Sequence, residues 1–227
     1  MNSSKIENKI TTAGLDHIIG HLQKRLAGFQ FKELSIDDFG LKSDYSLYQV
    51  QSVAEQIALH MSLLGYTPVI NLCDLPEHVA GSINLNDQML VYINLDKKRF
   101  ENHTYQPAQI LTIIVHELCH KFLWVHGFKE TSFKIEYITD ACAVYVGFGE
   151  IILKGCEVKR QNFDGLYTRT EITKLGYLDP WQISYLRNKF FGVPIPKEKG
   201  GTCFYIMFAM LLAYIMVILL VLSLVSA

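Results

Sequence analysis

The chain has 227 residues, half of them hydrophobic, with 21 basic and 22 acidic side chains and a formal net charge of −1. That length builds one domain with a sizeable core, or a domain with appendages. A near-neutral balance without a Lys/Arg cluster excludes nucleic acid as a partner, and five cysteines, odd in number and without paired spacing, read as reduced thiols of a cytosolic chain.

Residues 1–10, MNSSKIENKI, have no apolar core and read as a flexible N-terminus, not a secretory signal. Leu15, Ile18, Ile19, Leu22 and Leu26 then recur at helical spacing, with Lys24 and Arg25 in the last turn and Gly28 beyond. After a loop to about Ser43, Leu47, Val50, Val53, Ala54, Ile57, Ala58, Met61 and Leu64 mark a longer helix closed by Gly65. Its apolar stripe needs a partner. Thr67 to Leu72, Val79 to Leu85 and Met89 to Leu95 read as strands, the last two joined into a hairpin by Asn86, Asp87 and Gln88.

Pro107 opens the next helix, which stops at Gly127 and carries ILTIIVHELCHKFLW from Ile110 to Trp124. Residues four apart share a helical face, so His116 and His120 can present two imidazoles to one metal ion. Zn2+ suits such a pair best. Glu117 stands beside the first histidine, where its carboxylate can hold a water and take its proton during attack on a carbonyl. The neighbours Ile113, Ile114, Val115, Phe122 and Leu123 imply a buried helix, and unpaired polar groups are costly there. Metal ligation would satisfy them. Cys119, off the face shared by the two histidines, reads as buried filler.

A further helix is expected from about Ser132 to Lys154, ended by Gly155, and it contains Glu136-Tyr-Ile-Thr-Asp140. The two carboxylates share one face among apolar neighbours, and buried like charges repel unless a cation or donor stands opposite. Arg160 to Leu175 reads as loop with at most a short strand. Asp179-Pro180-Trp181-Gln182 is a helix start with a capping box. Residues 194–201 form a linker, and 202–227 read as a membrane span. From Cys203 to Ala227 there is no charge, and such a helix is about 37 Å long against a hydrocarbon core of about 30 Å.

HELCH at 116–120 followed by EYITD at 136–140 resembles the gluzincin class of zinc metallopeptidases. The resemblance implies that Glu136 is the third zinc ligand and that Asp140 accepts the other ring N–H of a ligand histidine. It also implies an edge strand, here Ala80 to Leu85, that holds an extended peptide through main-chain hydrogen bonds. The class uses a histidine or tyrosine against the oxyanion, for which Tyr145, Tyr177 and Tyr185 are the candidates.

Two other ligand sets compete. His126 stands where metzincins place a third histidine, but Leu123 occupies the position of their turn-forming glycine. Without that turn His126 lies about 280° round the helix from His116. In an aspartate-ligand class Asp140 would bind directly. An intramembrane site is disfavoured, because further spans would be needed to enclose it.

The expected architecture is α+β: a mainly helical zincin-like domain over 11–193 with a small antiparallel sheet, plus one C-terminal transmembrane helix. The expected activity is a membrane-tethered zinc endopeptidase acting on protein or peptide substrates, with Glu117 as general base and His116, His120 and Glu136 as ligands. Lys197 and Lys199 before the span place the catalytic domain in the cytoplasm. The alternative is a catalytically inactive, zinc-stabilised regulatory or interaction module anchored in the same way.

Overall fold

The computed structural model describes residues 10–77, 79–85, 89–128, 134–163 and 168–196. The chain divides into two compact units, Met1–Ile195 and Pro196–Ala227. The second lies outside the described residues apart from Pro196, so the fold is that of the first.

Helix α1 (Thr12–Arg25) starts where the Thr11 hydroxyl accepts from the Gly14 N–H, and it buries Leu15, Ile18, Ile19 and Leu22. Helix α2 (Leu47–His60) starts at a capping box between Ser46 and Gln49 and buries Val50, Val53, Ala54, Ile57 and Ala58. Its stripe packs on the sheet and on α4.

Three strands follow, β1 (Thr67–Cys73), β2 (Gly81–Ile83) and β3 (Leu90–Asp96), in the order β1-β3-β2. β2 pairs antiparallel with β3, but β1 pairs parallel with it, Thr67 opposite Leu90 through Cys73 opposite Asp96. The expected small antiparallel sheet is therefore corrected to a mixed one. A parallel neighbour needs a long crossover, and the chain between Cys73 and Leu90 supplies it with β2 embedded in it. The turn Asn86 to Gln88 lies outside the described residues.

The two sheet edges differ. On β1, Pro68 has no N–H to offer, and the Gln51 side chain donates to the Pro68 carbonyl (2.8 Å) while accepting from the Ile70 N–H (2.9 Å). That edge is closed by a side-chain amide. β2, the other edge strand, has no strand partner on its outer side among the described residues.

A short helix, α3 (Lys97–Glu101), leads to α4 (Pro107–Val125), on which the domain is built. α4 begins with Pro107 after a capping box between Gln106 and Gln109, and packs against α2, α5, α6 and β2. Ile110, Leu111, Ile113, Ile114, Val115, Leu118, Phe122 and Leu123 are all buried. Each such side chain contributes about 1.5–3 kcal/mol on burial, so together they far outweigh the cost of carrying polar residues into the core. α5 (Lys134–Ala143) crosses α4 and carries Glu136 and Asp140.

The continuous helix expected to Lys154 is interrupted. Val144–Phe148 widens into a π-helical turn, with Gly147 at φ 99°, before α6 (Gly149–Gly155) resumes. The break releases carbonyls that neighbours take up: Gly147 O accepts from the Leu34 N–H (2.7 Å), and Val146 O lies 2.8 Å from His60 Nε2. Burial holds His60 below the usual histidine value, so the ring is neutral and donates through Nε2–H.

The stretch expected as loop forms a hairpin, β4 (Glu157–Phe163) antiparallel to β5 (Thr168–Lys174). Last comes α7 (Pro180–Phe191), which starts at the expected Asp179–Gln182 capping box and packs on α6 and α1. The expected transmembrane helix would occupy residues 202–227. Among the described residues no helix is long and apolar enough to cross a membrane, and 202–227 lies outside them.

Gly147 tests the role of the helix break. A Cβ there would overlap the Lys32 carbonyl, and its φ strains any L side chain. Gly147→Ala is expected to destabilise the fold by about 2–4 kcal/mol, read from urea unfolding. A loss below about 0.5 kcal/mol would show that the break is not a structural requirement.

Candidate metal centre

Helix geometry decides which side chains meet. His116 and His120, one turn apart on α4, face the first turn of α5, where Glu136 projects back at them. His116 Nε2 lies 3.1 Å from His120 Nε2 and 3.2 Å from Glu136 Oε2, and His120 Nε2 lies 3.3 Å from Glu136 Oε2. The three residues can hold a metal ion. Ligand atoms of a tetrahedral zinc, bonded at about 2.0–2.1 Å, stand about 3.3–3.4 Å apart. The triangle, at 3.1–3.3 Å, is slightly tighter than that spacing, and its donor set of two imidazoles and one carboxylate suits zinc.

The outer nitrogens of both rings are committed elsewhere. His116 Nδ1 is 2.8 Å from Asp140 Oδ1. His120 Nδ1 is 3.2 Å from Thr139 Oγ1, and that hydroxyl spends its proton on the Ile135 carbonyl (2.8 Å). Both rings therefore donate outward through Nδ1–H, which turns the Nε2 atoms inward, where their lone pairs become available to a metal that displaces any proton there. Thr139 is the residue that sequence reasoning missed. Its signal was present, since it adjoins Asp140 and stands one turn from Glu136.

The electrostatics favour a cation. Burial works against charge on His116, yet Asp140 and Glu136 beside it hold its pKa well above the ordinary histidine value. Burial pushes the Glu136 carboxyl up, but hydrogen bonds from His116 and His120 outweigh it and bring it down to about 2. Glu117 is buried, which raises its pKa against the opposing pull of the two histidines. His116, set among three carboxylates, thus retains a proton in the absence of an ion, as a site made for positive charge does.

Glu117 lines a cleft of about 300 Å3 with His116, Thr112 and Ile113 from α4, Val79 to Gly81 leading into β2, and Lys174 to Tyr177 from the end of β5 onward. Gly81 permits the strand to approach: a Cβ there would overlap Ile113 and stand 3.2 Å from Glu117 Oε1. The strand edge and the carboxylate are thereby brought together.

The competing ligands lie elsewhere. His126 Nδ1 is 2.7 Å from the Phe122 carbonyl in the last turn of α4, with its ring against Phe122 and Phe29. Asp140 sits on the far side of the His116 ring from Nε2. Cys119 is fully buried; burial and a hydrogen bond with Cys142 keep its thiol well above the usual cysteine value, and so neutral. Of the three tyrosines, Tyr177 lines the cleft, whereas the Tyr145 hydroxyl donates to Leu26 O and the Tyr185 hydroxyl to Asp16 Oδ1. Comparison of the chain with protein-family models, curated proteins and solved structures finds no match.

The geometry sets an order of zinc affinities, measurable by competition with a chromogenic chelator. His116→Ala and His120→Ala are expected to abolish binding and Glu136→Ala to weaken it severely. Asp140→Ala and Thr139→Val should each cost about 10–100-fold, and His126→Ala nothing. Because His116 in the metal-free chain holds its proton above the usual histidine value, zinc uptake releases protons and the apparent affinity falls as the pH is lowered. An affinity flat between pH 8 and 5.5 would contradict ligation by these imidazoles.

Proposed function

We propose that the chain is a zinc-dependent peptidase of gluzincin type, with His116, His120 and Glu136 as ligands and Glu117 as the general base. The observation that carries the reading is the triangle of inward-facing ligand atoms at 3.1–3.3 Å with a buried carboxylate one residue from the first of them. Zinc, when bound, supplies Lewis acidity toward a substrate carbonyl and acidifies a water.

The chain's own groups do the rest. Glu117 accepts the proton of the attacking water and delivers it to the departing amine nitrogen, and its raised pKa suits both halves of that transfer. Asp140 and Thr139 hold the two imidazoles in the tautomer that ligation requires. The open edge of β2 takes a peptide backbone by main-chain hydrogen bonds; Gln51 denies the same role to β1. Tyr177, on the cleft wall, is assigned to the carbonyl oxygen of the bond being cleaved.

Glu117→Gln separates binding from chemistry, because the amide keeps the size of the side chain but cannot accept the proton. Cleavage of a peptide library is expected to fall about 10²–10⁴-fold while bound zinc is unchanged. A variant that cleaves as fast as wild type would overturn the mechanism. A wild type that binds zinc yet cleaves nothing would point to the zinc-stabilised interaction module instead.

A further inference from the structure

One carboxylate joins the candidate metal centre to a wall of the cleft. Asp140 Oδ1 faces His116 Nδ1, while its Oδ2 accepts from the backbone N–H groups of Tyr177 (2.6 Å) and Leu178 (3.0 Å). Asp140 is only 2% exposed. A buried carboxylate deprived of either set of donors is left uncompensated, so the two sets are bound to each other's fate.

The loop is shaped around that carboxylate. Gly176, at φ 84°, turns the chain so that the next two N–H groups point at Oδ2, and a Cβ on it would stand 3.0 Å from the same oxygen. The turn lays the Tyr177 ring along His116, with centroids 6.2 Å apart and planes at 22°, and edge-on to Tyr137 at 6.0 Å. Gly176 and Tyr177 both line the cleft.

We propose that Asp140 is a positioning residue for the loop Gly176–Leu178 as well as for His116, so that metal occupancy and the cleft wall are energetically coupled. The proposal rests on the reading that His116 is a metal ligand. A metal on Nε2 ties the His116 ring to Glu136 and His120 and so fixes the direction of its Nδ1–H toward Oδ1, which holds Asp140 in the orientation that the loop amides require. Coupling of this kind is reciprocal. The loop, which contributes no ligand, therefore sets the metal affinity.

The test measures zinc affinity by chelator competition, together with hydrogen exchange at the Tyr177 and Leu178 amides with and without zinc. In the wild type, zinc is expected to slow both amides at least about tenfold. Gly176→Ala, which changes no ligand, should weaken zinc about tenfold and abolish the zinc-dependent protection. Asp140→Asn should abolish it too, since the amide cannot accept on both sides, and this variant decides the matter if Gly176→Ala does not fold. Gly192→Ala controls for general destabilisation: it strains another loop at φ 68° with nothing within 4 Å of the new Cβ, and should leave affinity and protection unchanged. Wild-type zinc binding with no change at the two amides, or a folded Gly176→Ala with wild-type affinity, overturns the coupling alone. A wild type that binds no zinc overturns the metal reading and the coupling together.

Discussion

The crossing of α4 and α5 holds two imidazoles and the carboxylates of Glu117, Glu136 and Asp140 in a largely buried volume, and that arrangement is stable only around positive charge. Charge neutrality explains the rest of the centre. A divalent cation held at the triangle would be balanced by Glu136 and Asp140 and would leave Glu117 as the carboxylate that exchanges a proton. Hydrogen bonds outside the triangle, from His116 to Asp140 and from His120 to Thr139, orient the two imidazoles.

The fold brings a strand edge to this centre by close approach. β2 lies on α4 with no room for a side chain at position 81, and the cleft between them opens beside Glu117. The sheet exposes one usable edge, because Pro68 and Gln51 close the other. On this account the direction from which a peptide arrives is decided by α2, far along the chain from the chemistry, as much as by the helix that bears the histidines.

Much of this was legible in the residues themselves. His116, Glu117 and His120 stand out because they interrupt a mostly apolar helix with two imidazoles on one face and a carboxylate beside them, and α1, α2, α4 and α7 announce themselves by spacing and by caps such as Ser46 with Gln49 and Asp179 with Gln182. Pairing between strands distant in sequence was not legible: the hairpin signal before Met89 identifies β2 and β3 as neighbours but says nothing of β1, whose parallel register depends on a crossover. The strands EVKRQNF and TRTEITK lack clean apolar alternation and so read as loop. The π-helical turn at Gly147 is set by tertiary partners, Leu34 and His60, that no local pattern reveals. Thr139 went unread because a threonine inside a helix is ordinarily silent, and here it matters only through the histidine opposite.

The central claim is that His116, His120 and Glu136 hold a zinc ion with one position left for water. X-ray absorption at the zinc edge on the reconstituted protein tests it most directly. The account predicts nitrogen and oxygen neighbours alone, at about 2.0–2.1 Å, with the outer-ring scattering of two imidazoles. A sulfur neighbour at about 2.3 Å, scattering from a single imidazole or none, or a protein that takes up no zinc would contradict it.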